Sequence, residues 1–118
     1  MDKNETPPLD FDAALQQFDD DRDFLFEMLV DYKASLPERM KEIHAAFQEG
    51  NAEKLNRHAH NLKGISLNFH ANPVIELALQ IESASKRNDL TGMSVVVARL
   101  DEEVRRLDEY LSNLRDAP

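Results

Sequence analysis

Cysteine is absent from the 118 residues. That excludes a disulfide framework, a zinc–thiolate site and a thiol nucleophile, and it fits a reducing compartment. Glycine occurs three times, and neither a G-x-x-x-x-G-K phosphate loop nor a Gly-x-Ser-x-Gly elbow is present. No apolar run approaches the roughly 18 residues of a membrane span. The opening MDKNETPPLD lacks the apolar core of a signal peptide. These absences point to a cytoplasmic protein. Basic residues are also short, 14 against 23 acidic, for a net charge of −9. Such a surface repels phosphate backbones and anionic lipids, so nucleic acid and membranes are poor partners.

What remains is an ordinary globular composition, 42% hydrophobic and 31% charged, in strongly periodic segments. Residues 1–9, with Pro7 and Pro8, read as a flexible tail, and residues 10–115 as one domain. Asp10 can cap a short first helix carrying Phe11, Leu15 and Phe18. The cluster Asp19-Asp20-Asp21 then breaks the chain and places negative charge at the next helix start. That second helix, about 21–49, repeats Leu25, Leu29, Tyr32, Leu36, Met40, Ile43 and Phe47 at intervals of three and four, with a kink expected at Pro37. Gly50 is its stop.

Asn51 caps a third helix, through about His70, with the stripe Leu55, Ala59, Leu62, Ser66 and Phe69. Asn72-Pro73 starts a fourth, which carries Val74, Leu77, Ala78, Ile81 and Ala84. The fifth, from about Thr91 to Leu114, turns Val96, Val97, Leu100, Val104, Leu107, Leu111 and Leu114 inward. The pattern predicts an all-α fold. Long amphipathic helices with short links favour an antiparallel up-and-down four-helix bundle, with a short additional N-terminal helix.

Four histidines compete for attention: His44, His58, His60 and His70. On a helical wheel His60 lies roughly 140° from the centre of its helix's apolar stripe, with Gly64 nearly opposite that stripe. His58 and His70 fall only about 60° from the centre and should be partly packed. Lys63 and Gly64 stand one turn on from His60, within reach across the helix surface. Glycine inside a helix costs about 1 kcal/mol relative to alanine, so a close approach by something else is expected there. An exposed imidazole beside a cation and a gap suits phosphoryl transfer, because the cation can neutralise charge on the moving oxygens.

A metal-binding bundle is the first rival. Di-iron bundles use Glu-x-x-His, whereas the residues three before these histidines are Lys41, Leu55, Arg57 and Leu67. His58 and His60 point about 200° apart, so they cannot share an ion. A bundle that only binds partners is the second rival, and it would have no need of the histidine.

The segment HAHNLKGISLNFHA resembles the active helix of histidine-containing phosphotransfer (HPt) domains. Their His-x-x-Lys-Gly motif stands as His60, Lys63 and Gly64. Ser66, Asn68 and Ala71 also look like the family pattern, and Ile81-Glu82 resembles its hydrophobic-Glu pair. The resemblance implies that His60 accepts a phosphoryl group from one receiver aspartate and passes it to another. It implies a monomeric phosphoryl carrier without ATP binding or kinase activity of its own, binding no cofactor, with Mg²⁺ on the partner receiver. Partners would be receiver domains of response regulators or a hybrid sensor histidine kinase. Leu67, with Ile65 and Asn56 nearby, is expected on the receiver-binding surface. The family's usual glycine before Ala71 is replaced by His70, so the turn there is expected to be built differently. Met1 and the short tails suggest a free-standing protein.

Overall fold

The computed structural model describes residues 6–114. They form five α-helices: α1 (Phe11–Gln17), α2 (Arg22–Gln48), α3 (Ala52–Leu67), α4 (Asn72–Lys86) and α5 (Met93–Leu114). No strand occurs among the described residues. The starts of α1, α2 and α3 follow the sequence closely. Asp10, Asp21 and Asn51 accept from the amides of Ala13, Phe24 and Lys54 at 3.1, 3.1 and 3.0 Å. Each cap satisfies an otherwise orphaned donor and contributes about 1 kcal/mol. α2 continues through Pro37 without a break.

The contacts form a closed ring: α2 touches α3 and α5, and α4 touches both α3 and α5. The inward stripes match the expected ones apart from small rotations. In α2, Ala46 is buried while Phe47 is only partly so, and in α4 Ser85 is buried where Ala84 was expected. Both shifts keep an apolar or self-satisfied group inside, because Ser85 donates its hydroxyl to the Ile81 carbonyl at 2.7 Å.

Two expectations are corrected. The tail through residue 9 is not wholly free: residues 1–5 lie outside the described residues, but Leu9 is only 2% exposed, and Arg106 Nη2 donates to the Thr6 carbonyl at 2.8 Å. A single apolar residue has no periodicity to reveal its burial. The turn before α4 is also built in the left-handed way a glycine would allow, with His70 itself at φ 54°. α3 therefore ends at Leu67 rather than His70. The His70 carbonyl accepts from the Asp10 amide at 3.0 Å, and its Nε2 lies 3.1 Å from Gln17 Oε1. The turn that ends α3 thus also anchors α1. Phe69 completes this corner, stacking on Phe18 and Tyr32 with ring centroids 5.6 and 4.6 Å away.

Candidate phosphoryl-transfer site

Three side chains of α3, at positions i, i+4 and i+7, converge on one residue of α4. The Asn56 amide donates to the Glu82 carbonyl at 2.8 Å. His60 Nδ1 lies 2.7 Å from Glu82 Oε2, and Lys63 Nζ lies 2.6 Å from Oε1. This spacing lines one flank of α3, and α4 passes along that flank.

The histidine ring is the exposed member, its side chain 60% accessible, whereas Glu82 and Lys63 retain only 19% and 22%. An ionised carboxylate can only accept hydrogen bonds. In the neutral ring Nδ1 therefore carries the proton, which leaves the Nε2 lone pair free toward solvent. The Lys63 hydrogen bond, and after it that of His60, holds the Glu82 carboxyl below the ordinary carboxylate range against the opposing effect of burial. With neutral His60, the three residues sum to no net charge, so an incoming phosphoryl group meets no uncompensated anion.

Gly64 stands one turn beyond His60, and a Cβ built on it would meet nothing within 4 Å. The gap beside the histidine is open. Leu67 is 50% exposed on the outward side of α3, where the sequence places it. Asn56, about 20° from Leu67 around the helix, and Ile65 are both less exposed. Asn56 is half-buried, with its amide turned to α4. Ile65 packs partly against the core and lies about 200° from Leu67 around the helix, so these two cannot share one docking face. Ile65 is on the same flank as His58, whose Nδ1 lies 3.5 Å from Glu42 Oε1 on α2.

Lys63, which its spacing to His60 offers as a cation for the moving oxygens, has its Nζ 2.6 Å from Glu82 Oε1. A carboxylate from α4 holds it on the Nδ1 side. Glu82 is the residue that sequence reasoning underused, since it was picked out only by family likeness. Its signal is an acid immediately after the buried Ile81, at the edge of the α4 stripe, where it can turn toward a neighbouring helix.

The remaining histidines have other partners. Both carboxylate oxygens of Asp101 lie 2.8 and 2.9 Å from His44 Nε2, joining α2 to α5. Behind the site, Tyr32 and Ser66 share a buried 2.6 Å hydrogen bond between α2 and α3, and burial pushes the phenol up to about 12. Among the described residues, no helix is long and apolar enough to cross a membrane.

Comparison with known proteins adds family and fold. The Hpt domain family matches residues 27–117. The phosphorelay intermediate protein rdeA of Dictyostelium discoideum is 24% identical over 110 residues, covering 93% of this chain and 43% of that protein. The chain therefore spans less than half the length of that relative. Histidine-containing phosphotransfer protein B of Pseudomonas aeruginosa PAO1 has a similar fold, with TM-score 0.85 and 23% identity over 94% of this chain and 96% of that one. The HPT domain of a Shewanella sensor hybrid histidine kinase gives TM-score 0.82 and 24% identity, over 91% and 92% of the two chains.

Proposed function

Because this chain belongs to the Hpt domain family, we propose that it relays a phosphoryl group between receiver-domain aspartates, carrying it on His60 Nε2. One observation supports this most: an exposed imidazole whose inner nitrogen is tied to a buried-edge carboxylate. Transfer inward begins with the Nε2 lone pair attacking the phosphorus of an aspartyl phosphate. The acyl-phosphate P–O bond breaks, the receiver's carboxylate departs, and a P–N bond forms. Glu82 keeps the proton on Nδ1 and stabilises the cationic ring that results. In the reverse step that ring leaves as neutral imidazole, so the same hydrogen bond serves both directions.

Lys63 acts through Glu82, balancing its charge, and Gly64 leaves room for the partner's acidic pocket. Leu67 is the apolar anchor for docking, with α1 and the start of α2 as the second wall. The helix ring is read as an antiparallel up-and-down bundle with α1 covering one end. On this reading the protein is a monomeric cytoplasmic carrier without kinase chemistry, its partners are response-regulator receivers or a hybrid kinase, and Mg²⁺ belongs to the receiver.

The test is transfer from a radiolabelled phosphorylated receiver domain. Label on this chain should be acid-labile and base-stable, and should map to His60 by mass spectrometry. Label on another residue, or none from any receiver of the same cell, would end the proposal.

A further inference from the structure

We propose that Asn56 is a positioning residue of this site, holding the main chain of Glu82 so that its carboxylate meets His60 Nδ1. The inference rests on His60 being the phosphoryl acceptor. Asparagine is a poor helix former in a helix interior, and a solvent-facing asparagine would gain nothing from standing there. Asn56 is instead half-buried, with its Nδ2 on the Glu82 carbonyl at 2.8 Å.

That carbonyl does not need the bond. Inside an α-helix it already accepts from the amide four residues on, and the Ser85 hydroxyl also approaches it at 3.1 Å. The Asn56 bond is a cross-helix tie added to a satisfied acceptor. Its placement explains the addition. Asn56 and His60 are one turn apart on the same side of α3, about 6 Å along the axis. They grip a single α4 residue at its two ends, main chain and carboxylate. Lys63 takes the other carboxylate oxygen at 2.6 Å. With the main chain and Oε1 both held, Oε2 is left in one place, 2.7 Å from the ring. Glutamate has three side-chain torsions, and without the main-chain tie the carboxylate could follow Lys63 outward. Its sequence position suggests a docking role for Asn56, but one of its amide N–H groups is spent inside the protein.

Ring ¹⁵N NMR of the free full-length protein separates these roles. The wild type should show Nδ1 protonated and Nε2 bare. In Asn56→Ala and in the near-isosteric Asn56→Asp, which cannot donate to a carbonyl, the population should shift several-fold toward the Nε2–H tautomer. Phosphoramidate is a donor too small to read a docking surface. Its P–N bond breaks and ammonia leaves as His60 Nε2 bonds phosphorus, so its rate reports the histidine alone. That rate should fall about tenfold in both variants, less than the roughly 100-fold that a 1 Å misplacement of a reacting group can cost. Wild-type ring signals in both variants would overturn the proposal. An unchanged ring and phosphoramidate rate with weaker receiver binding would return Asn56 to the docking surface. Failure of the wild type to be labelled at His60 would defeat the proposed function instead, while the ring nitrogens still decide the role of Asn56.

Discussion

On its inner face α3 buries Leu55, Ala59, Leu62 and Ser66 against the core, each fully excluded from solvent. On its flank toward α4 it sends Asn56, His60 and Lys63 to one glutamate. The first face draws its energy from buried apolar area, about 25 cal/mol per Å², and any apolar set of the right size and spacing would hold it. The second adds little apolar area, being a partly buried ion pair and two hydrogen bonds, but it sets which imidazole nitrogen faces the carboxylate. The buried stripe and the Glu82-facing flank are thus neighbouring sides of one helix, roughly 100° apart. Substitutions on one side should change folding, and on the other reactivity.

The sharpest break is His60→Gln, which should abolish phosphoryl labelling while the melting temperature stays that of the wild type. His58→Gln and His70→Gln should still be labelled. Persistent full labelling of His60→Gln would move the chemistry elsewhere. On the inner face, Leu62→Ala should cost about 2–5 kcal/mol in urea unfolding, the usual price of a large buried truncation. A loss under about 1 kcal/mol would mean that the inner face is not where α3 gets its stability.

Tyr32→Phe lies between these extremes. It leaves the buried Ser66 hydroxyl without its Tyr32 partner, so a loss of about 1–3 kcal/mol at neutral pH is expected. The folded phenol pKa is raised from 10 to about 12, so the folded state holds that proton more tightly than the unfolded one. Wild-type stability attached to this group is therefore complete below pH 10 and declines as pH rises toward 12, by up to about 2–3 kcal/mol. The phenylalanine variant should lack that share of the alkaline decline. Parallel stability curves for the two proteins above pH 10 would remove Tyr32 from the account.

Gly64→Ala should stabilise the fold by about 1 kcal/mol, because the added methyl meets only open space. Transfer should nevertheless slow, and Gly64→Leu should slow it further. Unimpaired transfer by the leucine variant would show that no partner approaches there. The smallest stability change is expected for Leu67→Asp, within about 0.5 kcal/mol, accompanied by weaker receiver binding in calorimetry. Large destabilisation would place Leu67 in the core.

Most of the fold was legible because burial leaves a period in the sequence. Leu55, Ala59, Leu62, Ser66 and Phe69 could be recognised as one stripe, and His60 and Gly64 as its opposite, from angular spacing alone. Asp10, Asp21 and Asn51 announced their helix starts because capping is a local interaction between a side chain and amides two or three residues on. Composition and period likewise determined the all-helical class. Leu9 escaped because one residue makes no pattern, and His70 because its left-handed conformation is held by contacts with Asp10 and Gln17 from another helix.

The site divides the same way. A helical wheel gives the direction of a side chain from its own axis but not what stands in that direction. It could therefore set His60 outward, but it could not reveal that α4 brings Glu82 to the same flank, or that Asn56 and Lys63 are engaged there. Ile65 and Leu67 are separated by spacing alone, because residues two apart point to different sides of a helix. The convergence on Glu82 was not legible in the same way, because it joins residues 19 to 26 positions apart, and only the packing of two helices sets their distance. Local periodicity determined which residues face in or out; the tertiary structure decided the partners of those that face sideways, and with them which His60 nitrogen meets a carboxylate.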